Sequence, residues 1–167
     1  MPNDTEIMEL PQLVLLEDFG GNFTEYIHAV YEFFKRDFID SHPIYRGKRL
    51  GLKKHPLVEG KPYTFYHMTH SGDIENERIL DLSRMERIRF PRPMIDNSLH
   101  PYLKVWENTR KNKKRILIWH ENENYLVVLE NREEYILPWT AYLVKQNHRK
   151  VKLYSEYDNY IKSRNRQ

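Results

Sequence analysis

Cysteine is absent from the 167 residues of this chain, and its absence excludes several kinds of chemistry at once. Disulfides, thiolate zinc sites, iron–sulfur clusters and thiol nucleophiles all require cysteine sulfur. The sequence also lacks any apolar run long enough to predict a membrane span. Its first residues are acidic and interrupted by proline, unlike a secretory signal peptide. We therefore expect a cytoplasmic protein that is stabilised by packing alone.

Several catalytic motifs are missing as well. The sequence has no Gly-rich phosphate loop, no G-x-S-x-G elbow and no H-E-x-x-H helix, so it does not support a nucleotide kinase, a serine hydrolase or a zincin. His67 and His70 have a spacing that metal ligands can use, but the strand and turn predicted there point them to opposite faces. We expect neither a metal nor another cofactor.

The length of the chain favours one domain, since a domain of about 150 residues buries roughly 70% of its unfolded surface. We predict a single domain over residues 1–167. An N-terminal arm occupies residues 1–21, and a helical half with one strand occupies residues 22–100. An antiparallel meander and a C-terminal helix fill residues 101–167. This order of elements is typical of the α+β class.

Two helices and one strand are predicted in the first half. Apolar residues at spacings of three and four predict a helix that begins after Asn22 or Thr24 and ends near Ser41. They are Phe23, Tyr26, Ile27, Val30, Tyr31, Phe34 and Phe38. Residues 63–68 have the aromatic and β-branched composition of a strand. A short helix follows, capped through Ser83 and Glu86 and ended by Pro91 and Pro93.

The second half changes to the period of a sheet. Runs rich in Val, Ile, Leu, Tyr and Trp cover residues 103–107, 115–120, 125–130 and 134–144. Because the turns between the last three are short, these neighbours are antiparallel, and we predict a four- to five-stranded antiparallel sheet. Pro138 predicts an edge strand or a bulge in the last run. A helix near residues 149–162 closes the chain, with Leu153, Tyr157, Tyr160 and Ile161 facing inward.

The net charge of +3 is concentrated in two segments. Residues 104–115 hold six Lys or Arg against one acid, and residues 145–166 hold seven against two. Solvated surfaces explain such segments, but basic residues beside aromatic rings are also typical of RNA binding. On the second interpretation, the predicted RNA contacts are Trp106, Lys113, Lys114, Arg115, Arg149 and Lys152.

Candidate catalytic residues follow from what cleavage of RNA without a metal requires. A base removes the proton of the 2′-hydroxyl, an acid protonates the leaving oxygen, and cations stabilise the phosphorane. We assign the proton transfers to His67 and His148, since histidine titrates near neutral pH. The predicted cations are Arg84 and Arg87, which a helix projects on one side, and the predicted hydroxyls are Thr140 and Tyr142. Each has a plain structural alternative, such as a helix cap for His148.

The segment "RMERIRFPRPMID" and the following meander, with Thr140, Ala141 and Tyr142 in its last strand, resemble a known family. They look like phage-associated members of the barnase, EndoU, colicin and RelE superfamily of ribonuclease toxins. The whole chain is also similar to small proteins carried by phages, plasmids and other mobile elements. The resemblance implies a toxin or defence effector that cleaves tRNA or mRNA, with a cognate antitoxin or immunity protein as partner. Many relatives have a histidine in the helix ahead of the sheet, where this chain has Arg84 and Arg87.

Three functional hypotheses remain open on the sequence. The first is a metal-independent endoribonuclease of toxin type. The second is a non-catalytic RNA- or DNA-binding module of phage or plasmid origin, which would use the same basic segments. The third is a protein-interaction factor, such as an inhibitor of a host enzyme, whose aromatic helices form the contact surface.

Overall fold

Helices and strands are divided unequally between the two halves of the chain. The structure, a computed structural model, describes residues 5–166. Its elements are α1 Phe23–Phe38, β1 Ile44–Tyr45, β2 Lys48–Arg49, α2 Tyr63–Thr69, β3 His70–Ser71, β4 Ile79–Leu80, α3 Leu82–Glu86, α4 Pro91–Asp96, β5 Lys104–Arg110, β6 Lys113–His120, β7 Tyr125–Asn131, β8 Ile136–Leu143 and α5 Asn147–Asn165. The predicted α+β class is confirmed. No helix within the described range is both long and apolar enough to cross a bilayer.

Helix α1 forms where its periodicity predicts it. The Asn22 side chain caps the helix by accepting a hydrogen bond of 3.1 Å from the Glu25 backbone N–H. Lys35 and Arg36 in the last turn complement the helix dipole. One stripe of the helix is buried in the main core and consists of Tyr26, Val30, Phe34 and Phe38. The predicted helix is therefore confirmed.

The main sheet is the predicted meander, with strands in the order β5, β6, β7 and β8. Every neighbouring pair is antiparallel. The β5–β6 turn uses Lys111 and Asn112, both with positive φ, as a tight two-residue hairpin requires. Alternation divides the side chains between two faces. One face joins the main core through Ile116, Ile118, Val127, Leu129 and Ala141. The other forms a second cluster of Trp106, Leu117, Trp119, Leu126, Val128 and Val144.

Strand β8 lies at the edge of this sheet and contains a bulge. Val128 pairs with Thr140 and the next residue, Leu129, pairs with Pro138, so Trp139 is the extra residue. The prediction drawn from Pro138 is therefore confirmed. Since Val128 belongs to the second cluster, Thr140 lies on the same face of the sheet.

Helix α5 covers part of that second face. Four side chains of α5 pack against the second cluster: Leu153, Tyr154, Tyr157 and Tyr160. Three of them belong to the predicted inward stripe, and Tyr154 is an addition. The indole N–H of Trp106 donates a hydrogen bond of 2.8 Å to Glu156 Oε1, which ties β5 to the helix.

The N-terminal arm docks on the rest of the chain. Met8 and Val14 are buried, and the Tyr26 hydroxyl donates to the Val14 carbonyl over 2.8 Å. The Met8 carbonyl lies 2.6 Å from His120 Nε2. The first four residues of the predicted arm lie outside the described range.

The prediction of one strand in residues 22–100 is wrong. Residues 63–68 belong to helix α2, while this half contains four two-residue strands. Helix α2 is buried on nearly every side, so its apolar residues show no helical stripe, and a short buried run looks alike in both states. The prediction that His67 and His70 point to opposite faces depended on this strand and no longer applies.

The single short helix predicted next is two helices in the structure, α3 and α4. Asp81, not Ser83, caps α3 by accepting from the Arg84 backbone N–H over 3.2 Å. Pro91 begins α4 instead of ending α3. Proline suits this position because the first turn of a helix has no partner for its missing N–H.

Candidate anion-binding cleft

A cleft of about 500 Å³ lies beside the edge strand, on the face of the sheet that α5 partly covers. Strands β5 to β8 contribute lining residues, as do α2, α3, the β3–β4 loop and the start of α5. Six basic side chains line it: Arg78, Arg84, Arg110, Arg115, Lys145 and Arg149. Three acidic side chains also line it: Asp73, Glu75 and Asp81. The excess of three cations makes the cleft suitable for an anion.

Arg84 is held on the edge strand by two hydrogen bonds. Its Nη1 donates to the His67 carbonyl and to Thr140 Oγ1, each over 2.9 Å. Its guanidinium carbon lies 5.1 Å from the centroid of the Tyr142 ring. Burial, and then the charge of Arg78, lower the pKa of Arg84, and its buried Nε has no hydrogen-bond partner among residues 5–166. Asp81 Oδ2, 3.6 Å from Nε, partly compensates this charge, and a bound anion would stabilise it further.

His67 lies in the wall of the cleft, with only 3% of its side chain exposed. Its Nε2 is 2.8 Å from Glu75 Oε2, and the same oxygen accepts a hydrogen bond from the Tyr63 hydroxyl. Burial lowers the pKa of His67, and Arg78 lowers it further against the raising effect of Glu75. An ionised carboxylate only accepts hydrogen bonds, so Nε2 carries the proton and Nδ1 has the free lone pair.

Glu75 belongs to the loop between β3 and β4. Burial raises the pKa of Glu75, but hydrogen bonds from Tyr63 and His67 and the nearby charges outweigh it, so that pKa is lowered overall. Arg78 holds the loop, donating to the His70 carbonyl over 2.8 Å and to the Gly72 carbonyl over 3.2 Å. The loop thus presents an ionised carboxylate to His67.

Tyr142 connects the edge strand to the start of α5. Arg149 Nη2 donates to the Tyr142 hydroxyl over 3.2 Å. The Arg149 guanidinium carbon lies 5.7 Å from the centroid of the same ring that Arg84 approaches. A phenol beside two guanidinium groups is placed to donate a proton or a hydrogen bond to an anion between them.

Four of the six predicted catalytic residues meet in the cleft, namely His67, Arg84, Thr140 and Tyr142. Arg87 does not line it. Helix α3 ends at Glu86, and Arg87 Nη1 donates instead to the Ser83 carbonyl over 3.0 Å. His148 is exposed near the start of α5 and also does not line the cleft. For these two residues the predicted convergence is wrong.

The predicted RNA contacts divide in the same way. Arg115 and Arg149 line the cleft, whereas strand alternation points Lys114 to the opposite face from Arg115. Lys113 and Lys152 are exposed outside it. The prediction that Trp106 stacks on RNA is wrong, because α5 covers the ring and leaves it 1% exposed.

Sequence reasoning missed Glu75, Arg78 and Trp139, all of which line the cleft. The Trp139 ring centroid lies 4.5 Å from that of His67. Its position beside Pro138 in a predicted bulge was a usable signal. Glu75 and Arg78 lie in an irregular loop with no periodicity, where one charged residue looks like any other.

Metals and known proteins add no further assignment to the cleft. Within the part of the chain that the structure describes, no group of three or more His, Asp or Glu side chains is arranged to hold a metal ion. The expected likeness to ribonuclease toxins rests on the sequence segments quoted above alone. Comparisons of this chain with protein-family models, curated proteins and solved structures found no match.

Proposed function

We propose that this protein is a metal-independent endoribonuclease that cleaves RNA in the cleft beside β8. One observation carries the proposal: a histidine paired with a carboxylate, and an arginine bonded to the backbone carbonyl of that histidine, line one cleft with an excess of cations. Cleavage of RNA through its own 2′-hydroxyl needs a proton acceptor and a stabilised phosphorane. This arrangement supplies both.

His67 is the general base in this proposal. Its lowered pKa leaves the imidazole neutral near pH 7, so Nδ1 can accept a proton. The Glu75 carboxylate on Nε2 fixes the tautomer and stabilises the imidazolium that forms, as a carboxylate does for histidine in hydrolase triads.

Arg84 and Arg149 stabilise the charge on the phosphorane. Arg84 is positioned by its bonds to the His67 carbonyl and to Thr140, so its guanidinium needs little reorganisation when the phosphate binds. Thr140 is thereby a positioning residue and not a phosphate contact. Arg115, which also lines the cleft, binds a neighbouring phosphate.

Tyr142 is the general acid. His67 takes the proton from the 2′-hydroxyl, the 2′-oxygen bonds to phosphorus, and the bond from phosphorus to the 5′-oxygen breaks. The leaving 5′-oxygen takes the phenolic proton of Tyr142. The products are a 2′,3′-cyclic phosphate and a free 5′-hydroxyl, and exchange with water then removes the extra proton from His67 and returns a proton to the Tyr142 phenolate.

The biological setting follows from the resemblance to ribonuclease toxins. We propose that the substrate is tRNA or mRNA in the cytoplasm and that the protein acts as a toxin or defence effector of a phage or mobile element. An antitoxin or immunity protein would then be its partner.

The test is cleavage of end-labelled RNA by the purified protein in the presence of EDTA. We expect fragments ending in a cyclic phosphate from the wild type and from His28→Ala, a control whose imidazole is 75% exposed on α1. His67→Gln should abolish cleavage while RNA binding persists. His148→Ala should behave like the wild type. Cleavage that survives His67→Gln, or that requires a divalent cation, would overturn the mechanism.

The burial of His67 favours one alternative, a protein that binds RNA without cutting it. Only 3% of the imidazole is exposed, while the cations of the cleft remain available to phosphates. Retention of RNA without fragments, equal for the wild type and His67→Gln, would establish this second function.

A further inference from the structure

We propose that the cleft recognises the phosphodiester backbone of RNA and not its bases, so that its substrates are selected without regard to sequence. This inference rests on the proposed RNA-binding function and names the class of substrate. Readout of bases in single-stranded RNA needs free aromatic faces or free hydrogen-bonding groups. The cleft offers six cations against three acids.

The aromatic rings of the cleft already have partners. Trp139 and Tyr142 line its described part. The guanidinium groups of Arg84 and Arg149 lie 5.1 and 5.7 Å from the centroid of the Tyr142 ring. The Trp139 ring contacts the His67 imidazole, and Lys53 Nζ lies 5.8 Å from its centroid. These contacts occupy part of the ring surface on which a base could stack.

Three of the polar side chains able to read base edges are engaged inside the protein, while Asp73 and Gln146 line the cleft as exposed residues. Asp81 accepts hydrogen bonds from Ser83 Oγ over 2.7 Å and from the Arg84 backbone N–H. Thr140 Oγ1 accepts from Arg84, and Glu75 accepts from its aromatic and imidazole neighbours. Discrimination between bases depends on such groups being free to pair with the base.

The cations, in contrast, come from several elements around the cleft. Strand alternation places Arg110, Lys113 and Arg115 on the cleft side of the β5–β6 hairpin. Lys145, between β8 and α5, and Arg149 of α5 also line the cleft. Contacts from lysine and arginine to phosphates position RNA but carry no sequence information.

The test compares end-labelled oligomers of A, C or U that have equal length. We expect the wild type to cut all three with rates within about threefold, because phosphate contacts are the same in each. A preference of about 100-fold or more for one base, the size that good base contacts provide, would overturn the inference and leave the proposed cleavage intact.

Binding decides the inference independently of cleavage. The His67→Gln variant should bind the three oligomers with equal affinity. If nothing is cut but affinities are equal, the inference stands and the proposed cleavage falls. If none of the oligomers is bound, both fall.

Charge variants locate the surface. Arg110→Gln and Arg115→Gln should each weaken binding of all three oligomers equally and reduce the slope of log affinity against log salt by about 0.7. Lys54→Gln is the matched control, since Lys54 is exposed and does not line the cleft. Loss of affinity for one oligomer alone in either arginine variant would contradict backbone recognition.

Discussion

The two faces of the four-stranded sheet differ in how completely they are covered. On the first face, the main core includes fully buried side chains of α1, among them Val30 and Phe34. On the second face, α5 packs through half-exposed tyrosines, and no side chain of α5 within the described range is fully buried. The incomplete cover leaves part of the second face open beside β8, and the cleft occupies that part.

This contrast follows from the composition of the two covering helices. Helix α1 has a continuous apolar stripe, whereas α5 alternates tyrosine with lysine, arginine and acids. A helix with a wide apolar face covers a sheet completely, while a helix with few apolar residues covers it only in part. One face therefore stabilises the fold, and the other is available for binding.

The largest predicted effect concerns the first face of the sheet, which packs in the main core. Ile118 is 0% exposed in the main core, so Ile118→Ala should lower the free energy of unfolding by about 2 to 5 kcal/mol. Urea denaturation measures this. Val151→Ala, on the outer surface of α5 at 67% exposure, should change stability by less than about 0.5 kcal/mol. A cost below about 1 kcal/mol for Ile118→Ala would contradict the assignment of the core to this face.

The next effect concerns the open face. Arg84→Met removes the fixed guanidinium and should reduce cleavage about 100-fold, as loss of a transition-state donor does. Arg87→Met should change the rate by less than about threefold, because Arg87 does not line the cleft. Initial rates on one RNA compare the two variants, and urea denaturation checks that both are folded. Equal losses of activity would show that the cleft is not the reacting site.

A smaller effect tests the contact between α5 and the sheet. Trp106→Phe removes the hydrogen bond to Glu156 and should cost about 1 to 2 kcal/mol of stability. RNA affinity should not change, because the indole is buried. If Trp106→Phe bound RNA more weakly at unchanged stability, RNA bases would stack on Trp106 after all.

The smallest effect is a pH dependence of stability that comes from His67 in α2. The folded pKa of His67 lies below its unfolded value of about 6.5, so below that pH the unfolded chain binds a proton that the folded chain resists. The free energy of unfolding has its full value above about pH 6.5, and it decreases as the pH falls from there through the folded pKa of His67. Urea denaturation at pH 7 and about pH 5.5 should show a steeper loss for the wild type than for His67→Gln. Identical losses would contradict the buried neutral histidine.

Much of the fold was predictable because its signals are local. The spacing of Phe34 and Phe38 predicts α1, and period-two runs joined by short turns predict the meander. Pro138 indicated both the edge strand and the bulge. Helix α2 was not predictable in this way, since a buried run around His67 has no polar face to reveal its period.

The site was predictable only in its residue types. A histidine, an arginine and a hydroxyl were expected to meet, and His67, Arg84 and Thr140 line one cleft. The same reasoning selected Arg87 and His148, because sequence spacing cannot show that a helix ends one residue early or that a side chain points to solvent.

The sequence by itself determined the class of the fold, helix α1, the meander with its closing helix and the cationic character of the second half, since these depend on composition and short-range periodicity. Only the tertiary structure decided which cations face one cleft, that Glu75 supplies the carboxylate beside His67, and that Trp106 is covered. Arg84 and Thr140 are separated by 56 positions and become neighbours only when α3 packs on β8. The access of a side chain depends on what packs against it, and that partner is not encoded in its sequence neighbours.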